Sequence, residues 1–147
     1  MQSWRGCARM ASFPPAAEPR GVYAAPMDKV NLAEKLALIH EQWRPKVVGA
    51  LNGQEVKLAK FEGVFPWHHH EAADELFLAL AGSFAIELRD RAITLQPGEF
   101  FIVPRGVEHR TVAAHGEASA LLFEPAGTRN TGEVVDEQFT APQGVAI

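Results

Sequence analysis

Between Lys46 and Glu124 the chain repeats one device: a short run of β-forming residues, then a turn carrying Gly, Pro or Asp, at intervals of about 8–12 residues. The runs are VVGAL, EVKLAKF, ELFLALA, SFAIEL, AITLQ, EFFIVP, HRTVAA and ASALLFE. Several alternate with period two, as Phe84, Ile86 and Leu88 do, or Val56 and Leu58, which sets alternate side chains on one face of a strand. In ELFLALA both faces are apolar, as a strand covered on both sides requires. Short strands in succession with no helix between them exclude an alternating β–α layer fold and leave an all-β sandwich or closed barrel of the jelly-roll kind.

Upstream of the strands, Leu32, Leu36, Ile39 and Trp43 fall at i, i+4, i+7 and i+11, the apolar stripe of a helix running from Asn31 to Trp43. Asn31 is a suitable N-cap, Glu34 completes a capping-box pattern, and Pro45 stops the helix. The expected organisation is a helix within residues 27–45 packed outside a barrel of residues 46–125, followed by an irregular C-terminal tail, 126–147. Residues 1–26 carry three Arg, a Pro-Pro pair and no apolar centre of the kind a secretory signal has, and read as a flexible N-terminal tail. Cys7, the one cysteine, cannot form an intramolecular disulfide, which fits a reducing compartment and makes the cytoplasm the expected location. The 14 basic and 18 acidic residues form no block of like charge, which argues against nucleic acid as a partner. No apolar run reaches the roughly 18–20 residues of a membrane-crossing helix, so a membrane partner is not expected either.

The chemistry-bearing residues lie in two blocks. In FPWHHHEAADELF, residues 65–77, an extended chain points His68 and His70 the same way, about 6.5–7 Å apart at Cα, while His69 faces the other side. Glu75 opens the next run, where a tight connection could return its carboxylate over the same face. In PGEFFIVPRGVEHRTV, residues 97–112, Pro104 and Gly106 turn the chain and His109 begins the following strand in a fixed direction. If that direction is inward, His68, His70, Glu75 and His109 present three imidazoles and one carboxylate, donors suited to Zn, Mn, Fe, Co, Ni or Cu. Any one of these histidines alone reads more simply as structural. His40 and His115 read as solvated residues, and Phe77, Phe84, Phe100 and Phe101 as core. Arg105 is an exposed turn residue placed where it could reach an anionic substrate.

Taken together, the blocks His68-x-His70-x4-Glu75-x6-Gly82 and Gly98-x5-Pro104-x-Gly106-x2-His109 resemble the two motifs of the cupin superfamily, and the chain looks like a small single-domain cupin. Two positions depart from the pattern: Gly63 stands four residues before His68, and Ala113 occupies the last motif position, often Asn. The resemblance implies an antiparallel jelly-roll β-barrel over residues 46–125, with one divalent transition metal ion inside it held by His68, His70, Glu75 and His109. It also implies a homodimer, since subunit pairing covers open sheet edges. Two functions are compatible with it. One is a metalloenzyme of oxygenase, isomerase or lyase type acting on a compact polar metabolite that chelates the metal, with Glu75 able to double as a base. The other is a non-catalytic module that binds a metal or small ligand. Fold alone does not separate them.

Overall fold

The computed structural model describes residues 27–147; the 1–26 segment read above as a tail, with Cys7, lies outside the described residues. Its elements are a short helix, α1 (Leu32–Ala37), and seven strands: β1 (Lys46–Leu51), β2 (Gln54–Val64), β3 (Glu75–Ala81), β4 (Phe84–Leu88), β5 (Ala92–Leu95), β6 (Phe100–Val103) and β7 (His109–Pro125). All strand pairs are antiparallel. The seven strands form one sheet with the order β1-β2-β7-β3-β6, to which β4 is joined through the first part of β7 and β5 through β4. This is the all-β jelly roll with one short N-terminal helix that the sequence suggests.

Three sequence expectations are corrected in detail. Phe100, read as core, is exposed, because alternate residues of β6 face outward. HRTVAA and ASALLFE are not separate strands but the two ends of β7, which pairs with β4 over His109–Val112, with the end of β2 at Val112 and Ala113, and with β2 and β3 within Ala118–Pro125. Between them, Ala114–Glu117 bulge out opposite Glu62, where the β2 register jumps from Phe61↔Ala118 to Gly63↔Ala113. The bulge turns β7 from its pairing with β4 to its pairing with β3, and His115 sits on it, exposed. Gly82, at φ +66, passes beneath this corner, where a Cβ would stand 2.6 Å from the Glu117 carbonyl oxygen. Only glycine fits such an approach.

The helix is likewise shorter than its stripe. Asn31 caps it as expected, its Oδ1 accepting from the Ala33 and Glu34 amides at 3.0 and 3.2 Å, but α1 ends at Ala37. The four stripe residues serve two different cores, which one straight helix could not reach. Leu32, Leu36 and Ile39 pack on Val48 and Leu58, on the outer face of the large sheet. Trp43 turns through a left-handed φ of 61°, donates its amide to the Lys60 carbonyl at 2.9 Å and enters the barrel interior against Phe61 and Phe65. The interior core continues through Phe77, Phe84, Ile86 and Leu122, each Phe burial contributing about 2–3 kcal/mol.

The segment after β7 is irregular but docked. Asn130 donates to the carbonyls of Trp43 and Phe139, Arg44 donates to that of Thr140, and Val47 forms a parallel bridge with Ala146. Gly132, φ +57, lies directly on the His69 backbone, where a Cβ would come within 1.8 Å of the carbonyl oxygen. Gly132→Ala should therefore cost about 2 kcal/mol or more, whereas Gly127→Ala, at φ +80 with open space around it, should cost about 1 kcal/mol. Denaturant midpoints of the two variants check this; equal losses would mean that the segment is not held against His69.

Candidate metal centre

The backbone builds the site before any side chain does. His68 and His109 form an isolated antiparallel bridge, each amide donating to the other's carbonyl at 3.0 and 2.9 Å. Their imidazoles consequently lie side by side, ring centroids 4.4 Å apart. His70 is fixed by its carbonyl, which accepts from the Gly106 amide at 2.8 Å, so the Pro104–Gly106 turn holds one histidine and aims another. Glu75 is the first residue of β3, opposite Val103, and shares the inward parity of Phe77 and Ala79. The fold thus brings together all four residues that the motif spacing singles out.

The donor atoms of His68, His70, Glu75 and His109 lie within 4.8 Å of one another, and all four residues are buried. Ligands about 2.0–2.2 Å from a common ion stand roughly 3 Å apart when adjacent and somewhat over 4 Å when opposite, so this span suits a metal ion. Glu75 Oε2 is 3.0 Å from His70 Nε2 and 3.4 Å from His109 Nε2. Each outer ring nitrogen of the bridged pair has a partner: His68 Nδ1 donates to the Pro66 carbonyl at 3.0 Å and His109 Nδ1 to the Val107 carbonyl at 2.9 Å. Those bonds fix the tautomer and leave both Nε2 lone pairs turned into the site. His109 Nε2 is fully buried and, although near Glu75, makes no hydrogen bond. An orphaned buried acceptor at the focus of three other donors is what a cation would satisfy.

The electrostatics point the same way. Burial, and then the neighbouring His109, push the His68 imidazole down to about 4, so it is neutral and able to ligate at ordinary pH. Burial would raise the Glu75 carboxyl, but the adjacent His109 and His70 rings outweigh it and hold the group ionised, well below the usual carboxylate range.

Around the four residues the surroundings are unequal. On the His68 side, Trp43, Phe61, Phe65 and Phe77 leave a cavity of about 30 Å³. On the His70 side a cleft of about 310 Å³ opens between Glu71–Ala73 and the segment after β7, where Thr128, Arg129, Gly132 and Glu133 line it. His69 points outward toward Glu71, 3.4 Å away, as its position between two inward histidines requires. Arg105 is not in the cleft: it is exposed and held by Asp74 at 3.1 and 3.2 Å. The sequence reading missed the cleft wall of residues 125–133, whose only signal is a Gly- and Thr-rich composition, and the charged row Glu55, Lys57 and Glu124 inside the barrel.

In the metal-free protein, the His68 shift sets a pH dependence. Because its folded value lies below the ordinary 6.5, the unfolded chain takes up a proton first as pH falls. Stability should therefore drop by on the order of 3 kcal/mol between about pH 6.5 and 4. Glu75, depressed below the ordinary 4.5, adds a further loss at lower pH. Urea midpoints of metal-free protein across this range, with His68→Asn flattening the upper part, check the assignment; a flat profile for the unaltered chain would refute it.

Comparison with known proteins agrees with the geometry. The cupin-domain family model matches residues 54–124, which include every one of the four clustered residues. A cupin-2 domain containing protein from Shewanella frigidimarina has a solved structure that is 40% identical with a TM-score of 0.63, covering 65% of this chain and 93% of that one. Protein NMB1881 from Neisseria meningitidis is 31% identical with a TM-score of 0.62, covering 67% of this chain and all of that one. The uncharacterized protein YdbB of Bacillus subtilis is 37% identical over 87 residues, 52% of this chain and 77% of its own length. With its motif residues gathered where the fold places them and its sequence matched across most of the length of these relatives, the chain belongs to the cupin family.

Proposed function

We propose that the protein is a metal-dependent enzyme in which His68, His70, Glu75 and His109 hold one divalent transition metal ion. The observation that carries this reading is the buried convergence of four donor atoms within 4.8 Å, with both bridged histidines anchored through Nδ1 so that Nε2 faces inward. A divalent ion held there, offset by one carboxylate, supplies a charge that can polarise a substrate oxygen, lower the pKa of bound water or, for iron, engage O₂. The aromatic packing beside His68 leaves no room for a substrate, so a substrate approaches from the His70 side, through the cleft. A compact polar metabolite with two oxygen donors fits that opening, and oxygenase, isomerase and lyase chemistry are all compatible with it. Glu75 is read as a ligand and not as a base, because a carboxylate held below its usual range accepts a proton poorly.

One observation favours the non-catalytic alternative: the cavity inside the barrel is about 30 Å³, room for water but not for a substrate beside His68. Elemental analysis of untagged protein, purified without chelator or added metal, tests the reading against a His70→Ala control. Near one ion per chain, falling below about a tenth in the control, is expected; iron would then direct assays to O₂ consumption, and Mn, Ni or Zn to isomerase and lyase substrates. Metal below a tenth of an ion per chain in both would remove the metalloenzyme reading.

The homodimer belongs to the same proposal. Strand β6 pairs with β3 alone among the described strands, and its outward residues Phe100 and Ile102 are 61% and 47% exposed beside outward Leu76 and Leu78. An open apolar edge of this kind suits a second copy of the chain. Light scattering should give twice the 16.1 kDa chain mass, and Ile102→Lys should halve it. A native mass of one chain would end that part of the proposal.

A further inference from the structure

Next to the four-residue cluster, the barrel interior holds a second set of buried charges that the proposed function leaves without a role. On β2, Glu55 and Lys57 share the inward parity of Ala59 and Phe61, and on β7 Glu124 shares that of Leu122. Glu55 pairs with Glu124 across the β2–β7 ladder. The β3–β7 register, with Leu76 opposite Phe123, then sets Glu124 next to Glu75 on the same inward face. Neighbours so related have Cβ atoms about 4.5–5.5 Å apart.

The Lys57 ammonium donates to Glu124 Oε1 at 2.9 Å and lies 3.2 Å from Glu55 Oε2, an ionic contact without hydrogen-bond geometry. Glu124 is 1% exposed and its Oε2 has no hydrogen-bond partner. Burial works against the Lys57 ammonium, but Glu124 and Glu55 more than offset it and keep it protonated. Two carboxylates on one ammonium leave one negative charge over, and Glu75 adds another. An uncompensated buried charge is costly, and the interior as described lacks two positive charges. Burial, and after it the Glu75 charge, raise the Glu124 carboxyl well above its usual range, as a shortage of cations would.

We propose that Glu55, Lys57 and Glu124 set the charge state of the metal site: with three neutral imidazoles, a divalent ion and Lys57 supply three positive charges against the carboxylates of Glu55, Glu75 and Glu124. The interior is neutral only for an ion of charge two. Glu124 and Lys57 are positioning residues here: neither belongs to the four converging donors, and each acts on the ion through the field across Glu75. The inference rests on the reading of His68, His70, Glu75 and His109 as ligands.

Zn²⁺ affinity of the full chain, measured at pH 7.5 by competition with a chromophoric chelator, tests it on four proteins. Glu124→Gln, which keeps a hydrogen-bond acceptor for Lys57 but removes the charge, should weaken binding about 10–100-fold. Lys57→Met should tighten it about tenfold, and the double variant should lie between the two single variants, close to the unaltered chain. Loss of packing would weaken both single variants, so the opposite signs carry the test. If Lys57→Met does not fold, as circular dichroism of the metal-free protein would show, the double variant must still bind more tightly than Glu124→Gln. Binding by the unaltered chain with both variants weakened, or neither moved, overturns the charge-setting role alone. No Zn²⁺ binding by the unaltered chain overturns the ligand reading and this inference together.

Discussion

Strand β7 is the member on which the sheet depends, because its backbone pairs with β4 at one end, with β3 at the other and with β2 at both. A 17-residue strand can serve three partners only if it changes direction, and the bulge at Ala114–Glu117, with Gly116 at φ +106, supplies the corner. The site inherits its geometry from that strand. His109 is its first residue and bridges to His68; Glu124, next to its last, stands beside Glu75. A shift of one residue in the β7 register would turn His109 and Glu124 outward together, so the apolar parity of Ala118, Ala120 and Leu122 that fixes the register also aims the polar groups.

Buried ionic groups contribute little to the stability of a domain this size, since desolvation of each charge costs several kcal/mol and attraction repays that only in good geometry. The interior nevertheless holds Glu55, Lys57, Glu75 and Glu124, besides three histidines. Well-packed apolar residues at the same inward positions would serve the fold at least as well. The aromatic cluster of Trp43, Phe61, Phe65 and Phe77 supplies the burial energy that lets these groups be kept, and closes the barrel around them. Such a cost agrees with the proposed reading, in which the interior charges face a bound cation.

The candidate site was legible because its geometry is local. Two histidines two apart on an extended chain, a carboxylate at a strand start and a histidine after a Pro-x-Gly turn have directions that hardly depend on the rest of the molecule. The strands were legible for the same reason, and so was the Asn31 cap. What failed was long-range. In EVKLAKF the alternation of Val56 and Leu58 marks one face without saying which way it points; these two face outward, Leu58 packing under α1, while Glu55 and Lys57 point into the barrel. Either parity buries apolar residues, and only the position of α1 decides between them. The helix stripe misled similarly, because Ile39 and Trp43 are buried in different cores, a distinction that spacing does not encode.

The family match ends at residue 124, whereas most of the cleft wall opposite Glu71–Ala73 comes from residues 125–133 and from Gln143. The four converging residues therefore lie inside the stretch that the family model matches, and most of the cleft wall is built by a segment beyond it. That segment is held by specific bonds, Asn130 to Trp43 and Phe139, and by the close approach of Gly132 to His69. Within the cleft, Arg129 is half-buried, and its recorded bond is to the Gly132 carbonyl at 3.3 Å, with no carboxylate paired to it among the described residues. If the four converging residues hold the proposed cation, a guanidinium lining the same cleft suits a ligand that brings oxygen atoms to both. On that reading, selectivity between related ligands rests with how the 125–133 segment seats against His69, and less with the four converging residues.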